Sequence, residues 1–216
     1  MLNSDSVEFQ SEGHLLRGVL THSDSDTRVA VVILHPHPLY GGDMNNHVVL
    51  TLDRLFREAG FSTLRFNFRG ASSSGFSGVS GAVKDTVNAI EFLKSKTGVS
   101  NPAIAGYSFG ASTALRAALL RPPEFLITLS ASKDLVTEDG FEIKKLIEIE
   151  SPMMMYHGTS DQMIPCSDID EIATAIRLEP INIVKLDGEG HFYQWALPEV
   201  LASIREFLRD LRLLED

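Results

Sequence analysis

The sequence predicts an α/β fold in which a central, mostly parallel and twisted β-sheet carries helices on both faces. Apolar runs of strand length alternate with segments of helical periodicity along all 216 residues. The run at residues 29–34 is continuously apolar, as a strand buried on both faces requires. No composition shift or linker divides the chain, so we expect a single domain over residues 1–216.

The elements follow one another in a repeating order. An antiparallel start at residues 9–20 turns at Gly13, and a helix at residues 48–59 stops at Gly60. The further predicted strands are residues 61–66, 103–105, 125–129, 153–156 and 181–186, and the further helices are residues 83–96, 111–120, a segment near 169–176, and 198–214. Such alternation predicts right-handed crossovers and a ligand site outside the carboxyl ends of the strands.

Composition and charge exclude several classes of protein. Hydrophobic residues make up 44% and charged residues 22% of the chain, and no apolar run reaches the 18 or so residues of a membrane span. The first residues lack the basic and apolar stretches of a secretion signal, so we expect a cytoplasmic protein. A net charge of −10 disfavours nucleic acid and anionic lipid as partners. The lone Cys166 excludes an internal disulfide and a multi-cysteine metal site.

The most informative motif is Gly106-Tyr107-Ser108-Phe109-Gly110, which follows an apolar strand and precedes strong helix formers. A G-x-S-x-G motif in that context is typical of a nucleophile elbow, where a sharp strand-to-helix turn presents the serine hydroxyl at the edge of the sheet. Glycines on both sides allow the backbone to approach closely. Ser108 is therefore the candidate nucleophile.

A serine nucleophile needs a base, and the base needs an orienting carboxylate. On this type of fold the acid and then the histidine follow the serine, and Asp161 and His191 stand after two later predicted strands in that order. Asp187 is a competing carboxylate close to His191 in sequence. Asp161 could instead cap the next helix, although Asp168 is the better candidate for that cap.

The oxyanion of a tetrahedral intermediate needs two N–H donors. The backbone N–H of Phe109, the residue after the nucleophile, is the first candidate. The second should come from the loop after residue 34, where two prolines remove donors, so His37 is the first choice and Leu39 the second. Tyr40, Tyr107 and Phe192 are the candidate contacts with substrate.

A metal site is the weaker interpretation of the histidines at positions 35, 37, 47 and 157. No helical His-x-x-x-His pair or CxxC motif is present, and buried histidines satisfied by backbone groups explain His35 and His157 more simply. Residues 70–81 are rich in glycine and serine, which predicts either a mobile surface loop or a border of the substrate cleft.

These motifs, taken together, resemble those of α/β hydrolases over nearly the whole chain. Residues 35–42 (HPHPLYGG) and 65–70 (RFNFRG) resemble the small, lid-poor bacterial branch akin to dienelactone hydrolases. The resemblance implies the α/β-hydrolase fold and a hydrolase that uses Ser108, Asp161 and His191 without a cofactor or a metal. Dienelactone hydrolases carry a cysteine nucleophile, so their substrate cannot be carried over to Ser108. The segment 130–150, where larger relatives insert a lid, is short enough for a minimal lid with one small amphipathic helix.

The predicted activity is hydrolysis of a carboxylic ester or thioester of a small acyl substrate through an acyl-enzyme. Two alternatives stay open on the sequence: a peptidase on the same fold, and a binding protein whose catalytic residues are vestigial. The sequence is also compatible with a homodimer.

Overall fold

A computed structural model describes residues 4–23, 29–71, 75–177 and 181–214, and these form one sheet with flanking helices. The strands are β1 Ser4–Ser11, β2 His14–Thr21, β3 Ala30–Leu34, β4 Ser62–Phe66, β5 Ala103–Tyr107, β6 Leu126–Leu129, β7 Met153–Gly158 and β8 Ile181–Leu186. The helices are α1 His47–Glu58, α2 Gly78–Thr97, α3 Phe109–Leu120, α4 Lys133–Val136, α5 Ser167–Ile176 and α6 Leu197–Asp210.

The eight strands lie in the order β1-β2-β4-β3-β5-β6-β7-β8. The pairings β1–β2 and β2–β4 are antiparallel, and the remaining pairings are parallel. The predicted mostly parallel sheet and its antiparallel start are confirmed. Because the carboxyl ends of β3, β5, β7 and β8 meet at one edge, the loops that follow these strands come together there.

A separate hydrophobic core lies on each face of the sheet. Strand β3 contributes to both, since Val32 joins the cluster beneath α2, α3 and α5 while Val31 joins the cluster beneath α1 and α6. Leu115 of α3 and Ile204 of α6 are completely buried on the two opposite faces. This sandwich explains why the run at residues 29–34 is apolar at every position.

Several boundaries differ from the predicted ones. Helix α2 begins five residues earlier than predicted, at Gly78, so the end of the glycine- and serine-rich segment is helical rather than loop. The helix after the elbow begins at Phe109, and the last helix ends at Asp210. The segment 130–150 contains α4 and two short 3-10 helices, Glu138–Gly140 and Ile143–Glu148, in place of one amphipathic α-helix.

The prediction that Asp168 caps a helix is wrong. Helix α5 has Cys166 at its cap position, and the carboxylate of Asp168 instead accepts a hydrogen bond of 2.8 Å from the N–H of Lys133. Asp168 therefore ties α5 to the start of α4. Within the described ranges, no helix combines the length and the apolar character needed to cross a membrane.

Candidate active site

Ser108 occupies a strained turn between β5 and α3. Its φ is 56° and its ψ is −117°, a conformation that a residue with a side chain rarely adopts. The Ser108 N–H donates to the carbonyl of Leu129 at 2.8 Å, which fixes the turn to the neighbouring strand. A Cβ at Gly106 would collide with the carbonyl of Gly110, and one at Gly110 would collide with that of Leu34. Both glycines of the motif are thus required by close backbone packing.

Ser108, His191 and Asp161 form a continuous chain of hydrogen bonds. The hydroxyl oxygen of Ser108 lies 2.9 Å from Nε2 of His191, and Nδ1 of His191 lies 2.7 Å from Oδ2 of Asp161. A carboxylate only accepts hydrogen bonds, so Nδ1 carries the proton and Nε2 is free to accept from the serine hydroxyl. The structure brings together all three side chains that the sequence singled out.

Asp161 is held as an ionised carboxylate. Its side chain is fully buried, and Oδ1 accepts the N–H groups of Met163 and Ile164, each at 2.9 Å. Burial alone would raise the pKa of Asp161, but contacts with His157 and His191 and the N–H of Ile164 outweigh burial and lower the pKa well below its usual range. The carboxylate of Asp161 therefore stabilises the turn of its own loop and does not cap α5.

The competing carboxylate, Asp187, does not contact the imidazole. Asp187 is exposed, and its Oδ1 lies 3.5 Å from the hydroxyl of Thr159. Nδ1 of His191 pairs with Asp161 instead. Proximity along the chain therefore did not decide which carboxylate meets the histidine.

His157 is a second imidazole beside Asp161 that the sequence analysis did not connect with the site. It is completely buried, and its Nε2 lies 3.1 Å from the carbonyl of Ile164 and 3.5 Å from Oδ2 of Asp161. Both neighbours are acceptors, so Nε2 carries a proton directed at them. His157 therefore packs behind Asp161 and restrains the loop that carries it.

Glu189 anchors the loop that carries His191. Its side chain is buried, and its two carboxylate oxygens accept four backbone N–H groups. Oε1 accepts from Gly190 at 2.8 Å and Gln194 at 3.1 Å, and Oε2 accepts from Trp195 at 2.8 Å and Ala196 at 2.6 Å. Burial would raise the pKa of Glu189, but the four donors outweigh burial and lower it.

This arrangement closes the His191 loop onto the first turn of α6. The last two donors come from the residues that lead into the helix, where N–H groups lack partners within the helix. The sequence alone did not predict a role for Glu189, which stands between Gly188 and Gly190. An acid two residues before the histidine was the available signal, but the sequence did not indicate that it would turn toward the backbone.

Two unpaired N–H groups stand where the sequence predicted oxyanion donors. In the described parts of the chain, the backbone N–H groups of Phe109 and His37 have no acceptor. The N–H of Leu39, the second choice, donates to Nδ1 of His37 at 3.2 Å and is therefore occupied. The rings of His37 and Phe109 are in contact, with centroids 4.7 Å apart, so the two segments meet beside Ser108.

The three candidate substrate contacts all line the cleft above Ser108, but they differ in exposure. Tyr40 and Phe192 are 82% and 57% exposed. Tyr107 is buried, and its hydroxyl donates to the carbonyl of His191 at 2.8 Å. Tyr107 therefore supports the imidazole, whereas Tyr40 and Phe192 offer surface to a ligand.

The histidines considered as metal ligands each contact different backbone groups rather than a common point. Nε2 of His35 accepts from the N–H of Phe68 at 3.0 Å, and its Nδ1 donates to the carbonyl of Pro36 at 2.6 Å. Burial lowers the pKa of His35 to about 4, so the ring is neutral at pH 7. His47 lies 2.8 Å from the carbonyl of Phe192. Among the residues whose positions are described, no three potential ligands gather around a point that could hold a metal ion.

The glycine- and serine-rich segment borders the site in part. The ring of Phe76 lies 5.0 Å from that of His37 and 5.8 Å from that of Phe109, measured between centroids. This segment thus supports the side of the cleft near the unpaired N–H groups. Its residues 72–74 lie outside the described ranges.

Comparison with known proteins agrees with this architecture. A family model described as the alpha/beta hydrolase fold matches residues 29–132. An uncharacterized protein of Rickettsia prowazekii is 28% identical over 210 residues, which cover 94% of this chain and 87% of that protein.

Two solved structures share the same fold. One, from Agrobacterium tumefaciens, is a protein of unknown function assigned provisionally to the α/β hydrolases; it is 29% identical, with a TM-score of 0.85, over 98% of this chain and 100% of that one. The other, an α/β serine hydrolase homologue from Coxiella burnetii, is 29% identical, with a TM-score of 0.83, over 94% and 97% of the two chains. The chain has the α/β-hydrolase fold that the resemblance implied, and these relatives support a hydrolase.

Proposed function

We propose that this protein is a serine hydrolase that cleaves a carboxylic ester or thioester of a small substrate through an acyl-enzyme intermediate. The observation that carries the proposal is the hydrogen-bonded chain from Ser108 through His191 to Asp161 at the floor of an open cleft. The similarity to the α/β serine hydrolase homologue from Coxiella burnetii supports the same class of chemistry.

In the first half of the reaction, the hydroxyl of Ser108 attacks the carbonyl carbon while Nε2 of His191 takes its proton. Asp161 holds the imidazole in the required tautomer and stabilises the imidazolium that forms. The N–H groups of Phe109 and His37 would donate to the oxyanion, and removal of one such donor typically costs about 3 kcal/mol of transition-state stabilisation. His191 then gives the proton to the leaving group.

In the second half, water replaces the leaving group beside His191. The imidazole removes a proton from the water, which attacks the acyl carbon, and the collapse of the second intermediate returns the proton to Ser108. The cleft is open to solvent at its rim, as the exposure of Tyr40 and Phe192 indicates, so water can reach the acyl group. The cycle consumes one water and requires no cofactor.

The direct test is Ser108→Ala assayed with p-nitrophenyl acetate. Loss of the nucleophile should lower kcat by about three to six orders of magnitude while circular dichroism and the unfolding midpoint stay unchanged. A fluorophosphonate probe should label the wild-type protein at Ser108, which peptide mass spectrometry would locate. Equal turnover by wild type and Ser108→Ala would remove Ser108 from the mechanism.

The same experiments separate the alternatives. A binding protein with vestigial catalytic residues would leave Ser108 unlabelled in the folded state, because the probe needs an activated serine. A peptidase would be labelled but would hydrolyse peptide amides in preference to matched esters. A panel of esters from acetyl to palmitoyl, with thioester and lactone members, would define the preferred acyl group.

A further inference from the structure

The wall of the cleft above Ser108 contains no lysine, arginine, aspartate or glutamate among the described residues. The cleft has a volume of about 420 Å³. Its large apolar lining side chains are Tyr40, Leu135, Met163, Ile164 and Phe192, and neutral polar groups come from Asn46 and Ser132. A buried or partly buried anion needs a cation or several hydrogen bonds to replace its hydration. This lining offers no cation.

The rim of the cleft exposes apolar surface to solvent. Tyr40, Met163 and Phe192 are 82%, 58% and 57% exposed, although large apolar side chains are mostly buried elsewhere in the described structure. Three such side chains around one opening form a surface that an apolar ligand group can cover. The rim therefore favours binding through burial of hydrocarbon rather than through ion pairing.

Acidic groups act on the loop at the oxyanion side of the cleft. The carboxylate of Glu138 acts electrostatically on His37, and that of Asp43 acts on His35. Both histidines belong to the loop after β3, and His37 supplies the second proposed N–H donor. Negative charge near this loop raises the energy of an anionic substrate group placed in the cleft.

Cations on the adjoining segments are engaged by other groups. Nζ of Lys133 lies 2.8 Å from Glu171. Arg116 donates to the carbonyl of Glu138 at 3.2 Å and to the hydroxyl of Ser80 at 3.0 Å. The charges of Asp139 and Glu138 act on Arg116, so this cation is held by acidic groups outside the cleft. Recruiting either cation to a substrate would break these contacts.

We infer that the cleft selects esters that are uncharged on both sides of the scissile bond and rejects substrates that carry a carboxylate or phosphate near it. The inference rests on the proposed hydrolase function and narrows its substrate class. Thioesters of phosphate-bearing carriers fall into the rejected group unless their phosphates extend beyond the rim. Neutral esters with a short aliphatic or aromatic group fall into the accepted group.

The test compares two esters of nearly equal size that differ in charge, p-nitrophenyl adipamate and mono-p-nitrophenyl adipate, in which a terminal amide replaces a terminal carboxylate on a chain too long for fast cyclisation to an anhydride. Both release p-nitrophenol, so the chromophore and the leaving group are identical. For a like-charge separation of several ångströms at a protein surface, kcat/KM should be about 10- to 100-fold lower for the anionic ester. The ratio of kcat/KM for the neutral ester to that for the anionic ester should fall toward one as NaCl rises from about 10 mM to about 500 mM, because salt screens exposed charge.

A charge-adding variant makes the test specific to the cleft. Met163→Lys replaces an exposed side chain on the rim, and the backbone N–H of residue 163 still donates to Asp161. It should raise kcat/KM for the anionic ester relative to the neutral ester by about tenfold. The matched control is Ile147→Lys, since Ile147 is 45% exposed and lies outside the cleft lining, and it should leave the ratio unchanged.

Each outcome has a separate meaning. Equal kcat/KM for the two esters, or an equal response to both lysine variants, would overturn the inference about charge and leave the proposed hydrolase intact. Hydrolysis of neither ester by a protein that the fluorophosphonate probe also fails to label would overturn the proposed function itself.

Discussion

Glu189→Gln removes the charge of the carboxylate that anchors the His191 loop while keeping its size. The remaining side-chain oxygen can still accept two N–H groups, but the new amide NH₂ faces two other N–H donors. Each of the two buried donors left without an acceptor costs about 1–3 kcal/mol, so the free energy of unfolding should fall by about 2–6 kcal/mol. A domain near the middle of the usual range of about 5–15 kcal/mol of stability would still fold.

The same substitution should lower catalysis beyond its effect on stability. His191 lies two residues from Glu189, and a displacement of about 1 Å in a catalytic group can cost about 100-fold in rate. We expect kcat on p-nitrophenyl acetate to fall about 10- to 100-fold with a smaller change in KM, measured at a temperature where the variant is fully folded. Glu189→Asp, which keeps the charge but shortens the side chain, should restore part of the loss.

The stability effect also has a predicted dependence on pH. Because the folded protein lowers the pKa of Glu189, its contribution is present above the unfolded pKa of a glutamate and is lost as pH falls through the folded pKa. Urea unfolding should therefore show a larger difference in the free energy of unfolding between wild type and Glu189→Gln at pH 7 than in acid.

The control is Glu199→Gln, which removes the same charge from an exposed position in the first turn of α6. Only the helix-dipole contribution is lost there, about 0.3–1 kcal/mol. If Glu189→Gln destabilised the protein no more than Glu199→Gln and left kcat unchanged, the four N–H contacts would not hold the loop as argued.

Three further predictions concern the floor of the site and the core behind it. Asp161→Asn should lower kcat by about 10⁴-fold with the fold intact, because an amide favours the wrong imidazole tautomer, and Asp187→Asn should leave kcat unchanged. Gly110→Ala should destabilise the protein by about 1–3 kcal/mol or more in thermal unfolding, since its Cβ would collide with the carbonyl of Leu34. The folded pKa of His35 lies below its ordinary value of 6.5, at about 4, so the unfolded chain binds more protons between these values and stability should fall by about 3 kcal/mol as pH drops through that window. Wild type and His35→Asn compared by urea unfolding at pH 7 and 4.5 would check this, because the variant should lack that part of the slope.

The fold could be predicted from the sequence because the signals were local. Strand β3 is apolar at every position, and the glycines at 106 and 110 surround a serine at a strand end. Each of these patterns depends on a few neighbouring residues and on the burial that a parallel sheet imposes. The order of acid and histidine after the serine then selected Asp161 and His191, which the structure places in contact.

The supporting residues could not be predicted in the same way. The contact between His157 and Asp161 depends on how the loop after β7 turns, and that between Glu189 and Ala196 on how the chain enters α6. Both involve a side chain meeting a loop whose path no periodicity describes. Asp168 failed as a cap for the same reason, since its partner is the N–H of Lys133, 35 residues away.

The two buried carboxylates of the site divide the task of holding one imidazole. Asp161 pairs with the ring itself, whereas Glu189 takes only backbone N–H groups and fixes the segment from which the ring projects. Neither carboxylate meets a lysine or arginine side chain among the described contacts, so hydrogen bonds lower the pKa of both, with a further charge interaction between Asp161 and His191. In the proposed mechanism, these two negative charges beneath the cleft would stabilise the imidazolium and would repel an anionic substrate. The proposed preference for neutral esters would therefore share this electrostatic source with the proposed activation of Ser108, in addition to the cleft lining that offers no cation.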